Sequence, residues 1–179
     1  MGSDKAFLQL DGRTLLARAL EVVRAITPDF HIVGSRAKFE LFGPVVEDVF
    51  GDRGPLGGIH AALSSSDKDL NLVLAVDIPQ VDVGFLEFLI KRARENRAVV
   101  TVPRAGGGWQ PLCAVYRPPF REIAEQALTQ GRNKIDPLFE GVSLAVIEES
   151  DLKKAGFSAN MFRNLNTPEE FEAVAKGTR

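Results

Sequence analysis

The sequence has few residues that form disulfides, bind soft metals or act as nucleophiles. It contains one cysteine, Cys113, and two histidines, His31 and His60. A single cysteine excludes an intramolecular disulfide and any metal site built from several cysteines. Cys113 lies within an apolar stretch, so we expect a small buried side chain, and we expect both histidines to be structural or surface residues. This cysteine usage is typical of a reducing cytoplasm, where we place the protein.

Long apolar runs and blocks of like charge are also absent. No apolar stretch approaches the roughly 20 residues of a membrane span, and the N-terminus lacks the apolar core of a signal peptide. The formal net charge is -2, whereas a protein that binds nucleic acid by neutralising phosphates carries a basic face. We therefore expect a soluble protein that binds neither a membrane nor a nucleic acid.

What the sequence does contain is an alternation of short apolar runs with helical patterns, which is typical of an α/β protein with a mostly parallel sheet. The continuous apolar run at 71–77 predicts a central strand. The short turn between strands 98–103 and 111–117 favours antiparallel pairing, so we expect a mixed sheet. A length of 179 residues fits one domain, 1–179. Helices are predicted on both faces, at 14–26, 56–63, 83–97, 120–128 and 167–175.

Two acidic residues follow predicted strands, where open parallel sheets bind their ligands. Asp77 ends the central strand and precedes Ile78 and Pro79. A carboxylate in that place could bind Mg²⁺ and orient a nucleotide triphosphate, or it could cap the next turn. Asp48 ends the preceding strand and could bind a base or a ribose, although aspartate is also common in ordinary loops.

Other segments could bind a substrate through backbone or charged groups. The glycine-rich segment 54–58, which includes Gly57, precedes a predicted helix, so its backbone can approach a ligand closely. Lys5 could neutralise phosphoryl oxygens, and the turn with Arg132 and Lys134 could meet a second phosphate. Asn166 precedes a capped helix, where its amide could reach a metal. An ordinary loop, solvated cations and a turn-forming asparagine remain open alternatives for these segments.

Seven motifs become informative when they are considered together, in their order along the chain. They are "MGSDKAFL", "VVED", "GPLGGIHAAL", "LAVDIPQV", "QPLCAVY", "GRNKI" and "NLNTPEEF". Together they resemble the molybdenum cofactor guanylyltransferase family, a group of nucleotidyltransferases with a Rossmann-like fold. The resemblance implies that fold here, with a mostly parallel mixed sheet and helices on both faces.

The resemblance also implies a reaction. The terminal phosphate of molybdopterin, the molybdenum cofactor, attacks the α-phosphate of GTP and releases pyrophosphate, with Mg²⁺ as the metal and Mn²⁺ as a possible substitute. Such a displacement needs alignment and charge neutralisation more than a covalent nucleophile. Transient contacts with proteins that deliver and receive the cofactor are implied as well.

Residue by residue, the resemblance assigns Lys5 and Asp77 to catalysis. Lys5 matches a lysine that contacts the GTP phosphates, and Asp77 matches the Mg²⁺ ligand. Asn166 matches a late asparagine that helps to hold the metal. The remaining matches are substrate contacts: Gly34 and Asp48 to GTP, Gly57 near the guanine, and Arg132 and Lys134 near the pterin phosphate.

The beginning of the chain departs from the family pattern. The family starts with an apolar strand and a glycine loop of the form LAGGxSxRMGxDK, and the first strand and most of that loop have no counterpart ahead of Met1. We favour a start assigned too far downstream or a late beginning of the sequence over a true variant. We expect a slot beside the central strands, with unpaired backbone groups and open apolar surface. The alternatives are a nucleotidyltransferase for CTP or another phosphate acceptor, and a non-catalytic scaffold protein.

Overall fold

The computed structural model describes residues 4–51 and 53–163 of the chain. Nine strands are present in these ranges: β1 (Gln9–Leu10), β2 (Arg13–Thr14), β3 (Ile32–Val33), β4 (Val45–Val46), β5 (Asn71–Leu74), β6 (Val100–Ala105), β7 (Gly108–Trp109), β8 (Cys113–Tyr116) and β9 (Leu144–Glu148). The α-helices are α1 (Leu15–Ile26), α2 (Arg36–Phe39), α3 (Pro55–Ser64), α4 (Val83–Arg94), α5 (Pro119–Thr129) and α6 (Glu149–Lys154). Short 3-10 helices cover Lys5–Phe7, Asp136–Gly141 and Ala159–Phe162.

The C-terminal two thirds of the described chain form a mixed five-stranded sheet. β8 pairs antiparallel with both β5 and β6, which confirms the predicted antiparallel pairing. β9 pairs parallel with β6 on its other edge, and β7 forms a hairpin with β6. Since β5 and β6 both run against β8, the strands β5, β6 and β9 all end at the same edge of the sheet. This edge is where a ligand is expected.

Helices cover both faces of this sheet, as predicted. The side chains of β8 alternate between the two faces, because successive residues of a strand point in opposite directions. Ala114 and Tyr116 pack in the cluster that includes residues of α3 and α5, whereas Cys113 and Val115 pack with α4 and α6. Cys113 is fully buried, and burial raises the pKa of its thiol, so the prediction of a small buried side chain is confirmed.

Local sequence explains where the helices begin. Thr14 and Asp82 act as N-caps of α1 and α4, accepting hydrogen bonds from the backbone N–H groups of Ala17 and Phe85. Pro55 occupies the first turn of α3, where its missing N–H group costs nothing. The predicted helix at 167–175 lies outside the described residues.

The N-terminal part of the chain is organised differently. β1 and β2 form a small hairpin, and β3 pairs parallel with β4 in a separate two-stranded sheet. Among the described residues, neither β3 nor β5 has a strand partner on its second edge. Ile32 and Gly34 donate hydrogen bonds to the β4 side, so the backbone groups of Val33 face away from β4.

A cavity of about 320 Å³ lies between β3 and β5, with α1 and α3 beside it. Its lining is almost entirely apolar and includes Leu20, Ile32, Ile59 and Leu74. The expected slot beside the central strands is therefore present. A buried parallel strand has the same surroundings, with apolar side chains around it and a strand edge on each side to pair with.

Candidate active site

Asp77 lies three residues beyond the last residue of β5, at the edge where β5, β6 and β9 end. Its side chain is 21% exposed, and Lys5 Nζ is 3.7 Å from Asp77 Oδ2. This distance is long for a salt bridge and the lysine is half exposed, so the pair is weak. The two predicted catalytic residues thus meet at the predicted edge, with both side chains open to a ligand.

Lys5 is held by its neighbours in the 3-10 turn Lys5–Phe7. Asp4 caps that turn by accepting a hydrogen bond from the backbone N–H of Ala6, and its carboxylate also accepts one from Lys38 Nζ at 2.9 Å. The hydrogen bond from Lys38 is the main reason why the pKa of Asp4 is lowered. Phe7 stacks on Phe39 of α2, with ring centroids 5.8 Å apart. The helix α2 therefore fixes the segment that carries Lys5.

Asp48 and Gly57 are in direct contact. Asp48 Oδ1 accepts a hydrogen bond from the backbone N–H of Phe50 at 2.9 Å, which orients the carboxylate. A Cβ atom built on Gly57 would lie 2.2 Å from Asp48 Oδ2. A side chain at position 57 is therefore incompatible with this carboxylate position, so Gly57 is required for close approach rather than for a turn.

Gly34 is the remaining residue predicted to contact GTP, and it directly follows β3. A Cβ atom built on Gly58 would lie 3.6 Å from Val33 Cγ1, so the first turn of α3 touches the end of β3. Val33, Gly58 and Val76, which are chain neighbours of Gly34, Gly57 and Asp77, all line the slot. The chain segments that carry Gly34, Gly57 and Asp77 therefore border the same slot, although they come from separate elements.

Arg132 and Lys134 lie on an exposed turn after α5. The Arg132 backbone N–H donates to Ala127 O, which closes the helix. A Cβ atom built on Gly131 would lie 4.0 Å from Arg53 Nη1, so this turn adjoins the loop that leads into α3. The structure therefore connects the basic turn with the glycine segment.

A family model described as a MobA-like NTP transferase domain matches residues 1–142. The chain belongs to this family. The molybdenum cofactor guanylyltransferase of Desulfosudis oleivorans is 34% identical over 173 residues, covering 96% of this chain and 85% of the relative. The enzyme of the same name from Vibrio campbellii is 30% identical over 172 residues, covering 94% of this chain and 85% of the relative.

Solved structures agree on the fold of this MobA-like NTP transferase domain. The molybdopterin-guanine dinucleotide biosynthesis protein A of Archaeoglobus fulgidus superimposes with a TM-score of 0.82 at 24% identity, covering 99% of this chain and 91% of that chain. The 2-C-methyl-D-erythritol 4-phosphate cytidylyltransferase of Thermus thermophilus gives a TM-score of 0.71 at 19% identity, covering 98% and 94%. The predicted Rossmann-like nucleotidyltransferase fold is confirmed.

The side chains that the MobA-like domain offers as ligands limit how it could bind a metal ion. Among residues 4–51 and 53–163, no group of three or more histidine, cysteine, aspartate or glutamate side chains could hold a metal ion. Mg²⁺ commonly binds one or two carboxylates and completes its shell with water and substrate phosphates. The partly exposed Asp77 fits that arrangement. Asn166, the other predicted ligand, lies outside the described residues.

Sequence reasoning missed two residues that shape this site, Asp4 and Lys38. Their ion pair joins positions 34 residues apart, and neither residue has a spacing that suggests the other. Nothing in the sequence placed α2 against the first turn of the chain. Within the part of the chain that the structure describes, no helix has both the length and the apolar character needed to cross a bilayer.

Proposed function

We propose that this protein transfers GMP from GTP to the terminal phosphate of molybdopterin and releases pyrophosphate. The observation that carries the proposal is the meeting of Lys5 and Asp77 at the carboxyl edge of the sheet, 3.7 Å apart, in a chain of the MobA-like NTP transferase family. Both curated relatives described above bear the name molybdenum cofactor guanylyltransferase. A cation and a carboxylate at this edge suit a triphosphate and its metal.

The reaction is an in-line displacement at phosphorus. An oxygen of the acceptor phosphate forms a bond to the α-phosphorus of GTP, and the bond from that phosphorus to the bridging oxygen breaks. The electron pair of the broken bond stays on the departing pyrophosphate. Lys5 neutralises negative charge on the phosphate oxygens as the bond breaks, which is the main assistance such a displacement requires. The side chain of Lys5 is half exposed, so its ammonium group is accessible to the substrate.

Asp77 is proposed as the protein ligand of a Mg²⁺ ion, with Mn²⁺ as a possible substitute and Asn166 as a second ligand. When bound, such an ion neutralises charge on the triphosphate and fixes its orientation. The side chain of Asp77 fits this role because it follows a strand of the central sheet and remains partly exposed. Its place three residues beyond the end of β5 restricts its position.

Asp48, Gly57 and Gly34 are proposed to bind the nucleoside part of GTP. The carboxylate of Asp48 can accept hydrogen bonds from a ribose hydroxyl or from N–H groups of guanine. The contact between Asp48 Oδ2 and Gly57 brings this acceptor onto the first turn of α3. The arrangement supports recognition of the nucleoside beside the Lys5 and Asp77 pair.

The metal and phosphate roles are tested by Asp77→Asn, which keeps the size of the side chain and removes its charge. We expect GTP-dependent formation of the guanine dinucleotide to fall by about 10²-fold or more, with little change in the unfolding midpoint. Asp67→Asn is a matched control, because Asp67 is an exposed acid whose partner is Lys68. An Asp77→Asn protein with unchanged activity would contradict the assignment.

The choice of nucleotide is tested by binding of GTP, CTP, ATP and UTP to the protein. We expect a preference for GTP. Equal or reversed preference would favour a cytidylyltransferase or another nucleotidyltransferase. Binding of GTP without any transfer to molybdopterin would favour a non-catalytic scaffold.

The cellular setting is part of the proposal. We place the reaction in the cytoplasm, in line with the single buried cysteine. Transient complexes with the proteins that supply molybdopterin and accept the dinucleotide would protect a reactive cofactor during transfer. Cell fractionation and crosslinking of the tagged protein test these two statements, and recovery only in a membrane fraction would contradict the first.

A further inference from the structure

The short segment that follows β4 packs on one face of α3. His60 of α3 is only 6% exposed. Its ring meets the ring of Phe50 edge-on, with the centroids 5.0 Å apart and the planes at 78°. His60 lies three residues after Gly57, which is in contact with the Asp48 carboxylate, so both helix residues share one face. Two contacts, Asp48 on Gly57 and Phe50 on His60, therefore join this segment to the helix.

The segment is held in shape by its own aspartate. Asp48 Oδ1 accepts a hydrogen bond from the backbone N–H of Phe50 at 2.9 Å, which is an Asx turn. Val49, between them, is 80% exposed, whereas Phe50 packs against the core cluster that contains Leu56 and Ile59. The direction of the Asp48 carboxylate therefore depends on a backbone N–H group whose own residue is anchored in the core.

The polar atoms of His60 do not explain why a histidine occupies this position. Its Nε2 atom lies within hydrogen-bond distance, 3.3 Å, of Oγ of Ser64, an exposed residue. Its Nδ1 atom is buried and has no hydrogen-bond partner within residues 4–51 and 53–163. A buried polar atom without a partner costs free energy, and an apolar side chain of similar size has no such cost. Stability alone therefore does not account for this histidine.

We propose that His60 and Phe50 are positioning residues for the Asp48 carboxylate. The flat ring of His60 fixes the ring of Phe50, and the backbone N–H of Phe50 fixes the carboxylate. Aromatic pairs of this kind prefer a defined geometry, which an aliphatic side chain does not reproduce. The use of the carboxylate in nucleotide binding rests on the proposed function, whereas its positioning does not.

The positioning is measured without any nucleotide by hydrogen exchange of the Phe50 amide, followed by NMR, because this amide donates to Asp48 Oδ1. His60→Leu should speed the exchange about two- to tenfold, through the loss of one edge-on aromatic pair. The unfolding midpoint should not fall, since leucine removes the unpartnered nitrogen. His60→Phe restores an aromatic ring and should return the rate towards that of the wild type. Equal exchange in the wild-type and His60→Leu proteins would overturn the proposal.

The consequence for the nucleotide site is measured by calorimetric titration with a non-hydrolysable GTP analogue. His60→Leu should weaken binding about two- to tenfold, and Phe50→Leu should do the same as an independent variant. In an Asp48→Asn protein, His60→Leu should cause no further loss, because it acts through the carboxylate. Phe88→Leu is the matched control, since Phe88 is a partly buried aromatic residue in the cluster on the opposite face of the sheet.

The two measurements separate the positioning from the proposed function. Faster exchange of the Phe50 amide with unchanged binding of the GTP analogue would support the positioning and remove Asp48 from the nucleotide site. Weaker binding with unchanged exchange would overturn the positioning. A further loss of binding when His60→Leu is added to Asp48→Asn would also overturn it, because His60 would then act on the nucleotide by another route.

Discussion

The five-stranded sheet and the N-terminal part of the molecule differ in how completely they bury their apolar side chains. The sheet and its helices contain large side chains with no exposed surface, such as Tyr116, Phe85 and Phe120. In contrast, every large hydrophobic side chain that is exposed among the described residues lies before position 50: Phe7, Val33, Leu41, Phe42 and Val49. Local stability is expected to follow the same division.

The proposed functional residues lie where these two regions meet. Asp77 belongs to the end of the packed sheet, whereas Lys5 belongs to the loosely packed N-terminal part. Their relative position therefore depends on how firmly β3, β4 and the first turn of the chain are attached to β5. Anything that fills the slot between β3 and β5 should stabilise both the fold and the nucleotide site.

The largest effect is expected from supplying a strand to the slot. An extension of about six apolar, β-branched residues, joined ahead of Met1 through a short glycine linker, would run parallel to β5 and lead towards Lys5. Pairing with both free edges and burying its side chains should raise the free energy of unfolding by roughly 2–4 kcal/mol, after the loss of chain entropy. Chemical denaturation measures this gain.

A glycine-serine extension of equal length is the control for that experiment. It provides the same added length but no apolar side chains to bury. Equal stability of the two extended proteins, or equal affinity for GTP, would contradict the conclusion that the slot accepts a strand.

A smaller effect on stability is expected from replacing alanine with leucine, and it should differ between the two regions. Ala124 is fully buried within the packed cluster, so Ala124→Leu should destabilise the protein by about 1–3 kcal/mol through overpacking. Ala62 lines the slot, where added methyl groups find space, so Ala62→Leu should be neutral or stabilising. Thermal unfolding of both variants measures the difference, and equal destabilisation would mean that the slot is already filled.

The same division decides what sequence reasoning could predict. The helices of the packed sheet follow from apolar periodicity and caps, and the antiparallel pairing of β8 follows from a short turn. The strand predicted at 71–77 ends at Leu74. Just beyond it, Ala75 N–H donates a hydrogen bond to Leu112 O, whereas the other edge of β5 has no strand partner among the described residues. Pairing on one edge only is a tertiary effect that local pattern does not contain.

For the candidate active site, the sequence pattern identified single residues but not the contacts between them. Asp77 and Asp48 were predicted because strand ends are known ligand positions in open sheets. The contact of Asp48 with Gly57 depends on how one loop folds back. The ion pair of Lys38 with Asp4 and the approach of Arg53 to Gly131 join positions that are far apart in sequence. Such contacts have no local signal.

The contact between Gly57 and Asp48 leads to a prediction of intermediate size. Gly57→Ala places a methyl group where Asp48 Oδ2 now lies, 2.2 Å from the new Cβ, so the carboxylate must move. We expect GTP affinity to fall about tenfold, the loss of one charged hydrogen bond. Gly84→Ala in α4 is the control, since its Cβ would meet its nearest neighbour at an ordinary 3.5 Å. Equal GTP binding by both variants would remove Asp48 from the nucleotide site.

The smallest effect on stability is expected from breaking the ion pair between Asp4 and Lys38. Lys38 lowers the pKa of Asp4 from its ordinary value of 3.8 in the folded protein, so the ion pair stabilises the fold at neutral pH. Because the pair is largely exposed, Asp4→Asn should cost less than about 1 kcal/mol at pH 7. The folded protein binds the proton less readily than the unfolded chain does. The stabilisation is therefore complete above the ordinary value and is lost as pH falls through the lower folded pKa.

Denaturation of the wild-type and Asp4→Asn proteins from pH 7 down to pH values below 3.8 tests this sign. The difference between them should shrink with acidity and should also shrink in high salt, which screens exposed charges. Lys38→Met should reproduce the loss at pH 7 without adding to it in the double variant, since either change alone breaks the same pair. A difference that grows on acidification would contradict this sign, and a Lys38→Met protein as stable as the wild type at pH 7 would mean that the ion pair with Lys38 does not hold this segment.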